Sequence, residues 1–310
     1  MNILVIGSGA IGGFYGSLLA RGGCQVSVLA RADYRRIRDH GIQVESPLGD
    51  HHFQPRQVIT ETGQLQDVPD YVLLCVKVVE GIDRIALLRG ALAPASTIVL
   101  LCNGIGIEDE IAAAYPQHEL ISGLAFVCVT RTAPGHIRHQ AYGRLVFGNY
   151  LAAAGERVGK LCRAFEAAGV ECRAAADIIT ARWEKCVWNA PFNPLSVLSG
   201  GLPTSLILAT QEPLVRAIME EICKVAAVSG HTLPPDVIDR NLDSTRTMPP
   251  YKTSMLLDFE AGRPLETEAI LGNAVRWARR LGVPIPCLES IYGLMQLREA
   301  ARMQTTREPP

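Results

Sequence analysis

The sequence predicts an α/β protein in which an N-terminal doubly wound sheet is followed by a mainly α-helical C-terminal domain. The first observation behind this prediction is a glycine-rich turn between two short apolar runs near the N-terminus. The second is that apolar runs alternate with helical segments after that turn, and the third is that a helical pattern takes over from about residue 177. Such alternation is typical of a largely parallel sheet with helices on both faces.

The N-terminal elements begin with a βαβ unit, in which residues 3–6 and 26–29 are the strands and residues 14–20 the helix. Further apolar runs predict buried strands at residues 71–76, 97–101, 121–129 and 170–173. Helices are expected at residues 108–115 and 156–168, and residues 135–148 have the pattern of a hairpin.

From residue 177 the apolar spacing is that of helices, which we expect at residues 178–198, 213–229, 252–261, 266–281 and 288–302. A chain of 310 residues exceeds the size at which one hydrophobic core usually stops growing. We therefore predict two domains, the first at residues 1–175 and a mainly helical one at residues 176–310.

Composition excludes several classes of function. The formal net charge is −1 and no dense run of Lys or Arg occurs, which argues against a nucleic-acid partner. No uninterrupted apolar run reaches the ~18 residues typical of a membrane span. The nine cysteines show neither CxxC pairs nor Cys/His metal spacing, so we expect no metal and a reducing, cytoplasmic environment. The helical region has enough apolar surface for a homodimer, but the sequence leaves the oligomeric state open.

A GxGxxG motif follows the first strand and opens the first helix. Its residues are Gly7, Ser8, Gly9, Ala10, Ile11 and Gly12. The first glycine permits a tight turn, the second lets the backbone approach a pyrophosphate, and the third lets helix and strand pack closely. In this position the motif predicts a Rossmann-type dinucleotide site.

The end of the second strand indicates which dinucleotide is bound. NAD-selective proteins place an acidic residue there on the ribose hydroxyls, whereas this chain has Arg31, which suits the 2′-phosphate of NADP(H). Asp33 is close enough in sequence to take the acidic role instead, and both residues could be solvated loop charges. We favour NADP(H).

Polar residues with the spacing of a catalytic site occur in the second predicted domain. Lys185, Asn189 and Asn193 follow one another at intervals of four and share one face of a helix, with a kink expected at Pro191. A second polar group consists of Ser254 and of Glu266, which is expected in the first turn of a helix. Such residues also occur on solvated helices, and an acid near a helix N-terminus can act on the dipole alone.

Two further polar residues follow predicted strands. Lys77 comes after residues 71–76 and Asn103 after residues 97–101. Both therefore lie at the carboxyl ends of sheet strands, the edge at which open α/β sheets bind their ligands.

Five segments together resemble the ketopantoate reductase family, in the family's order and over nearly the whole chain. They are GSGAIGG at 7–13, CVK ending at Lys77, CNG at 102–104, WEKCVWNAPFNPLS at 183–196 and SMLLDFEAGRPLE at 254–266. The resemblance implies a two-domain enzyme that reduces 2-dehydropantoate, a 2-oxo acid, to pantoate with NADPH, a step of pantothenate biosynthesis.

The resemblance also implies roles for single residues. Lys185 matches the catalytic lysine, which would act as general acid, and Glu266 matches its acidic partner. The other matches are to positions that orient substrate, namely Asn189, Asn193 and Ser254, and to cofactor positions, namely Arg31, Lys77 and Asn103.

One departure from the family pattern concerns the substrate. Tyr251 stands three residues before Ser254, where better-studied members have asparagine. The alternatives are therefore reduction of another 2-oxo or hydroxy acid by the same chemistry and, in a different class, a non-catalytic NADP-binding sensor. A sensor needs only the phosphate-binding loop, so the presence of both Lys185 and Glu266 speaks against it.

Overall fold

The computed structural model describes residues 1–248 and 252–305. The chain divides into two compact units. The first unit comprises Met1–Lys77, Ile82–Cys102 and Ile107–Ile178, and the second comprises Val78–Gly81, Asn103–Gly106 and Ile179–Pro310. Two short loops from the N-terminal half of the sequence thus belong to the second unit.

The first unit is built on a mixed sheet with the order β4-β3-β9-β8-β7-β6-β1-β2-β5, and β10 pairs with β9. Its strands are β1 (Asn2–Ile6), β2 (Gln25–Leu29), β3 (Ile42–Glu45), β4 (His51–Phe53), β5 (Val58–Ile59), β6 (Tyr71–Leu74), β7 (Thr97–Leu100), β8 (Leu120–Ala133), β9 (His136–Asn149) and β10 (Cys172–Ala174). Pairing is parallel except between β3 and β4 and between β8 and β9.

Both faces of this sheet are covered by helices of the first unit. They are α1 (Ala10–Arg21), α2 (Tyr34–His40), α3 (Arg84–Leu88), α4 (Asp109–Ala114) and α5 (Glu156–Ala167). Successive side chains of β1 point to opposite faces, so Ile3 and Val5 pack into a core with α1 and α5. Leu4 and Ile6 pack into a second core with α3 and α4. The two cores confirm the doubly wound α/β class.

The predicted hairpin at residues 135–148 is wrong in its extent. All of them except Gly135 belong to the single strand β9, whose antiparallel partner is β8, and Gly135 lies in the turn between the two strands at φ 67°. The pairing is interrupted by three register shifts, between Phe126 and Val127, between Cys128 and Val129 and between Arg131 and Ala133. A bulge breaks the period-two pattern along a strand, which is why the sequence suggested a turn inside β9.

The second unit is helical, as predicted. Its helices are α6 (Ile178–Leu198), whose first residue lies in the first unit, α7 (Thr204–Val228), α8 (Val237–Thr247), α9 (Ser254–Glu260), α10 (Asn273–Leu281) and α11 (Pro286–Thr305). A π-helical segment, Glu268–Gly272, precedes α10. The core of this unit includes Trp183, Val187, Met219 and Leu271, each at most 1% exposed. None of the described helices is long and apolar enough to cross a lipid bilayer.

The helix α6 continues through Pro191 and Pro194. One helix therefore carries Lys185, Asn189 and Asn193, and their spacing places them on one face of it. The opposite side is apolar, since Trp183, Val187 and Ala190 are buried in the core. Packing of this apolar side fixes the direction in which the polar face points.

Candidate active site

The glycine loop of the first unit lies between the end of β1 and the start of α1. Gly7 has φ +100°, a conformation that favours glycine, and an added Cβ there would lie 2.9 Å from Cγ1 of Val76. A Cβ on Gly12 would lie 2.0 Å from the carbonyl oxygen of Gly7. These two glycines are therefore required by the fold itself, the first for its turn and the second for the close contact between helix and loop.

Gly9 is different, because the fold does not require a glycine there. Its φ is −70°, and nothing lies within 4 Å of a Cβ built on it. Gly9 is the N-cap of α1, and no side chain accepts a hydrogen bond at this helix end. The open space at Gly9 and the start of α1, which has no side-chain cap, fit a diphosphate, which helix N-termini bind through backbone N–H groups and the helix dipole.

We predict that Gly12→Ala destabilises the first unit. The added methyl group would overlap the Gly7 carbonyl oxygen, so the loop must move, and overpacking of this kind costs about 2 kcal/mol or more. Urea denaturation measures the change in the free energy of unfolding. Gly9→Ala is the matched control, and its free energy of unfolding should stay within about 1 kcal/mol of the wild type. Equal losses in both variants would contradict this account of the loop.

Charged residues follow the end of β2. Arg31 is exposed, and no described residue forms an ion pair with its guanidinium. Asp33 is only 4% exposed, and its Oδ2 lies 2.5 Å from Nη1 of Arg131 on β8. The Asp33 carboxylate, which could otherwise accept a hydrogen bond from a ribose hydroxyl, thus forms an ion pair with a residue of the first unit.

A hydrogen-bonded chain of three polar side chains lies in the second unit. Lys185 Nζ donates to Oδ1 of Asn103 at 2.8 Å, and Nδ2 of Asn103 donates to Oε2 of Glu266 at 3.4 Å. Because the carboxylate can only accept, it fixes which end of the Asn103 amide faces Lys185. Asn103, predicted on the cofactor side, is therefore joined to the lysine and the acid.

Glu266 is the buried end of this chain. It is 4% exposed, and its Oε1 accepts the backbone N–H of Val78 at 3.2 Å. Both carboxylate oxygens thus have partners, as a buried charge requires. Glu266 comes just before the helical turn that begins at Thr267, not within it, and its carbonyl accepts the N–H of Ile270 at 3.0 Å. The following segment is π-helical, and such segments are frequent at functional sites.

The loop Asn103–Gly106, which supplies Asn103, is held at three backbone positions. Arg182 Nη1 donates to the Gly104 carbonyl at 3.0 Å, and Asn273 Nδ2 donates to the Ile105 carbonyl at 2.5 Å. The Ile105 N–H donates to the carbonyl of Ala269 at 2.9 Å. Arg182 is 2% exposed, so this contact is made inside the unit. The position of Asn103 therefore depends on α6, α10 and the π-helical segment.

The remaining predicted residues of the second unit are polar groups that other side chains do not satisfy. Among the described residues, none hydrogen-bonds to the side chain of Asn189, Asn193 or Ser254. Asn189 and Ser254 are half-buried and Asn193 is 2% exposed. Their amide and hydroxyl groups can therefore donate hydrogen bonds to a ligand or accept them from it.

The two segments that carry these groups are tied together. The hydroxyls of Ser196 on α6 and Thr253 lie 2.6 Å apart, and Thr253 also caps α9 by accepting the N–H of Leu256 at 3.2 Å. Ser254 therefore begins a helix whose start is fixed to α6.

Cys186, next to Lys185, is not placed to act as a nucleophile. It is 4% exposed, and burial raises the pKa of its thiol to about 12. The residue packs in the core of the second unit. Lys77 is half-buried in the first unit, three residues beyond β6. Tyr251, the departure from the family pattern, lies outside the described residues.

Several contacts of the site were not predicted. The backbone N–H of Val78 gives no signal in a sequence, because every residue except proline has one. Arg182 had a signal, since it is a charged residue three positions before Lys185 on the apolar helix α6. Among the described residues, no group of three or more His, Cys, Asp or Glu side chains is arranged to hold a metal ion.

Comparison with known families identifies both parts of the chain. The family model described as ketopantoate reductase PanE/ApbA matches residues 3–152. The model described as ketopantoate reductase PanE/ApbA C terminal matches residues 177–299. The two models together cover most of the chain.

Individual relatives agree with the family models. The 2-dehydropantoate 2-reductase of Nostoc sp. is 33% identical over 294 residues, which are 93% of this chain and 92% of the relative. The crystal structure of 2-dehydropantoate 2-reductase from Methylococcus capsulatus is 60% identical with a TM-score of 0.93, and the match covers 97% of this chain and 98% of that one. The corresponding structure from Geobacter metallireducens is 34% identical with a TM-score of 0.91, covering 96% of this chain and 100% of that one. The chain belongs to the ketopantoate reductase family.

Proposed function

We propose that this oxidoreductase reduces 2-dehydropantoate to pantoate with NADPH, with Lys185 as the general acid. The observation that carries the proposal is the chain of hydrogen bonds from Lys185 through Asn103 to Glu266. A lysine held by an amide whose own orientation is fixed by a buried carboxylate has the properties of a positioned proton donor. In this proposal the first unit binds the nucleotide and the second supplies the catalytic groups.

The first unit has the features that NADPH binding needs. Gly9 and the uncapped start of α1 suit the diphosphate, and the exposed Arg31 suits the 2′-phosphate. Lys77 is the further cofactor-side residue of the proposal. When bound, NADPH supplies the hydride that reduces the carbonyl carbon of the substrate.

Lys185 has two tasks in the proposed reaction. Its ammonium group stabilises the negative charge that develops on the substrate's carbonyl oxygen, and it then gives that oxygen a proton. Asn103 accepts a hydrogen bond from Nζ at 2.8 Å, which restricts the directions in which the ammonium group can point. Glu266 acts through Asn103 and keeps the amide oxygen turned towards the lysine.

The unsatisfied polar side chains provide the proposed substrate contacts. Asn189 and Asn193 lie about one and two helical turns beyond Lys185 on the same face of α6. Their amide N–H groups can donate to a carboxylate, and their oxygens can accept from a hydroxyl group. Ser254 adds a hydroxyl that can do either. A 2-oxo acid that also carries a hydroxyl group matches this set of donors and acceptors.

We predict that Asn189→Ala weakens substrate binding more than it slows turnover. Loss of one hydrogen bond to a charged group should raise KM for 2-dehydropantoate by about tenfold, with a smaller change in kcat. Steady-state kinetics at saturating NADPH measures both constants. Asn241→Ala is the control, because the Asn241 amide donates to the Val237 carbonyl within α8. An unchanged KM in Asn189→Ala would remove this residue from the substrate site.

The experiment that tests the proposed function is the loss of NADPH absorbance on adding 2-dehydropantoate to the purified protein. A panel of other 2-oxo acids and a parallel series with NADH complete it. The proposal expects 2-dehydropantoate with NADPH to have the highest kcat/KM. A different best acid would assign the chain to another substrate with the same chemistry, and binding of NADPH without turnover of any acid would support the sensor alternative.

We also infer a cytoplasmic location and a homodimer. All nine cysteines are thiols in the structure, which suits a reducing compartment. Sedimentation of the purified protein tests the dimer, and a single monomeric species at micromolar concentration would contradict it.

A further inference from the structure

Asp33 is an acidic residue near the end of β2, where such a residue favours NAD(H) over NADP(H). It follows Arg31 by two residues, just beyond the end of β2. In dinucleotide-binding sheets, an acidic residue at this place accepts hydrogen bonds from the ribose 2′-hydroxyl and favours NAD(H). A carboxylate at the same place repels the 2′-phosphate of NADP(H). The chain thus has Arg31, which suits NADP(H), two residues before Asp33, which suits NAD(H).

The structure directs the Asp33 carboxylate to another partner. Asp33 occupies the N-cap position of α2, yet its side chain makes no capping hydrogen bond. Its Oδ2 instead pairs with Nη1 of Arg131 at 2.5 Å. The Asp33 side chain is 4% exposed and the Arg131 side chain is 35% exposed. The acid is therefore buried under a partly exposed arginine that comes from β8.

The pair changes the balance of charge beyond β2. Asp33 and Arg131 together are neutral, which leaves the exposed Arg31 without an opposing charge among the described residues. Of the three arginines of α2, Arg38 pairs with Asp39 at 2.7 Å and Arg36 lies 3.2 Å from Nε2 of His136, whereas Arg35 is exposed. Whether Asp33 is paired thus decides whether this strand end presents a negative charge beside Arg31.

We propose that Arg131 is a selectivity residue for the nucleotide. By holding Asp33 in a buried ion pair, it prevents the carboxylate from repelling a 2′-phosphate and from accepting a hydrogen bond from the 2′-hydroxyl of NADH. Arg31 is then the residue that distinguishes the two nucleotides, by binding the 2′-phosphate. This inference rests on the proposed use of NADPH and adds a second residue, from a distant strand, to the basis of that preference.

The test is the ratio of the dissociation constants for NADPH and NADH, measured by nucleotide fluorescence without any substrate. Arg131→Met releases Asp33, so we expect the ratio to move towards NADH by about tenfold or more, which is ~1.4 kcal/mol. Adding Asp33→Asn to that variant removes the freed carboxylate and should restore most of the wild-type ratio. Arg138→Met is the matched control, because Arg138 pairs with Glu45 on the exposed surface of the same sheet.

Two further variants decide the question if Arg131→Met does not fold, as shown by its circular dichroism. Arg131→Lys keeps a charge for Asp33, and Asp33→Asn removes the acid, so both should retain the wild-type ratio within about threefold, or ~0.7 kcal/mol. An unchanged ratio in folded Arg131→Met would overturn the inference. So would a tenfold weakening of NADH binding in Asp33→Asn, since Asp33 would then be a ribose ligand. Wild-type protein that binds neither nucleotide would instead refute the proposed function, and this inference with it.

Discussion

Replacement of Lys185 by alanine is expected to lower kcat for 2-dehydropantoate by about 100-fold or more, because in the proposed mechanism it removes the proton donor and the positive charge together. The dissociation constant for NADPH should stay near that of the wild type, since the glycine loop, Arg31 and Lys77 belong to the first unit and Lys185 to the second. Steady-state kinetics and a fluorescence titration with NADPH measure the two effects separately.

A matched lysine in the same unit provides the control for this prediction. Lys224 is exposed on α7, so Lys224→Ala removes the same side chain from a helix of the second unit without touching the hydrogen-bonded chain. Its kcat should equal the wild-type value. If Lys185→Ala retained wild-type turnover, the general-acid role would be wrong. If it lost NADPH binding as well, the loss of turnover would not be specific to the proton transfer.

Replacement of Gly9 by valine is expected to abolish most of the binding of NADPH while leaving the fold intact. The φ of −70° at Gly9 is accessible to any residue, and no atom lies within 4 Å of the position of the added Cβ. The new side chain instead occupies the space above the start of α1. Loss of two charge-assisted hydrogen bonds to the diphosphate should raise the dissociation constant by about 100-fold or more.

Gly12→Ala is the comparison that separates a loss of NADPH binding from a loss of stability. Thermal unfolding should show Gly9→Val within a few degrees of the wild type and Gly12→Ala clearly below it, because only Gly12 contacts the Gly7 carbonyl. Gly9→Val protein that binds NADPH as tightly as the wild type would show that the diphosphate does not lie over this helix end.

The sequence predicted the elements that have a strong local pattern. The β1–α1–β2 unit was recognised because the glycine motif and the flanking apolar runs agree. The helix α8 was missed because Val237–Thr247 is mostly polar, with only Val237, Leu242 and Thr245 buried. The first part of α7 was missed because Pro213 indicated a helix start, whereas the helix begins at Thr204 and passes a non-helical Gln211 at φ −139°. In both helices, tertiary packing outweighs the local signal.

The candidate site residues could be proposed one by one from the sequence, but the contacts between them could not. The spacing of Lys185, Asn189 and Asn193 placed them on one face of α6, and α6 carries them. The contact of Asn103 with Lys185 joins residues 82 positions apart, and that of Val78 with Glu266 joins residues 188 positions apart. No periodicity relates such positions, because these contacts depend on how the chain enters and leaves the second unit. The partner of Asp33 was not predicted either, because Arg131 is 98 positions away in the sequence.

In the proposed reaction, a hydride passes from NADPH to the carbonyl carbon of 2-dehydropantoate. A test of this transfer uses NADPH in which both hydrogens at C4 of the nicotinamide ring are deuterium, and analyses the product by mass spectrometry. We expect the wild type to form pantoate that carries one deuterium on the former carbonyl carbon, and Lys185→Ala to form almost none. Pantoate without deuterium, or no pantoate from wild-type protein that binds both NADPH and the acid, would contradict it.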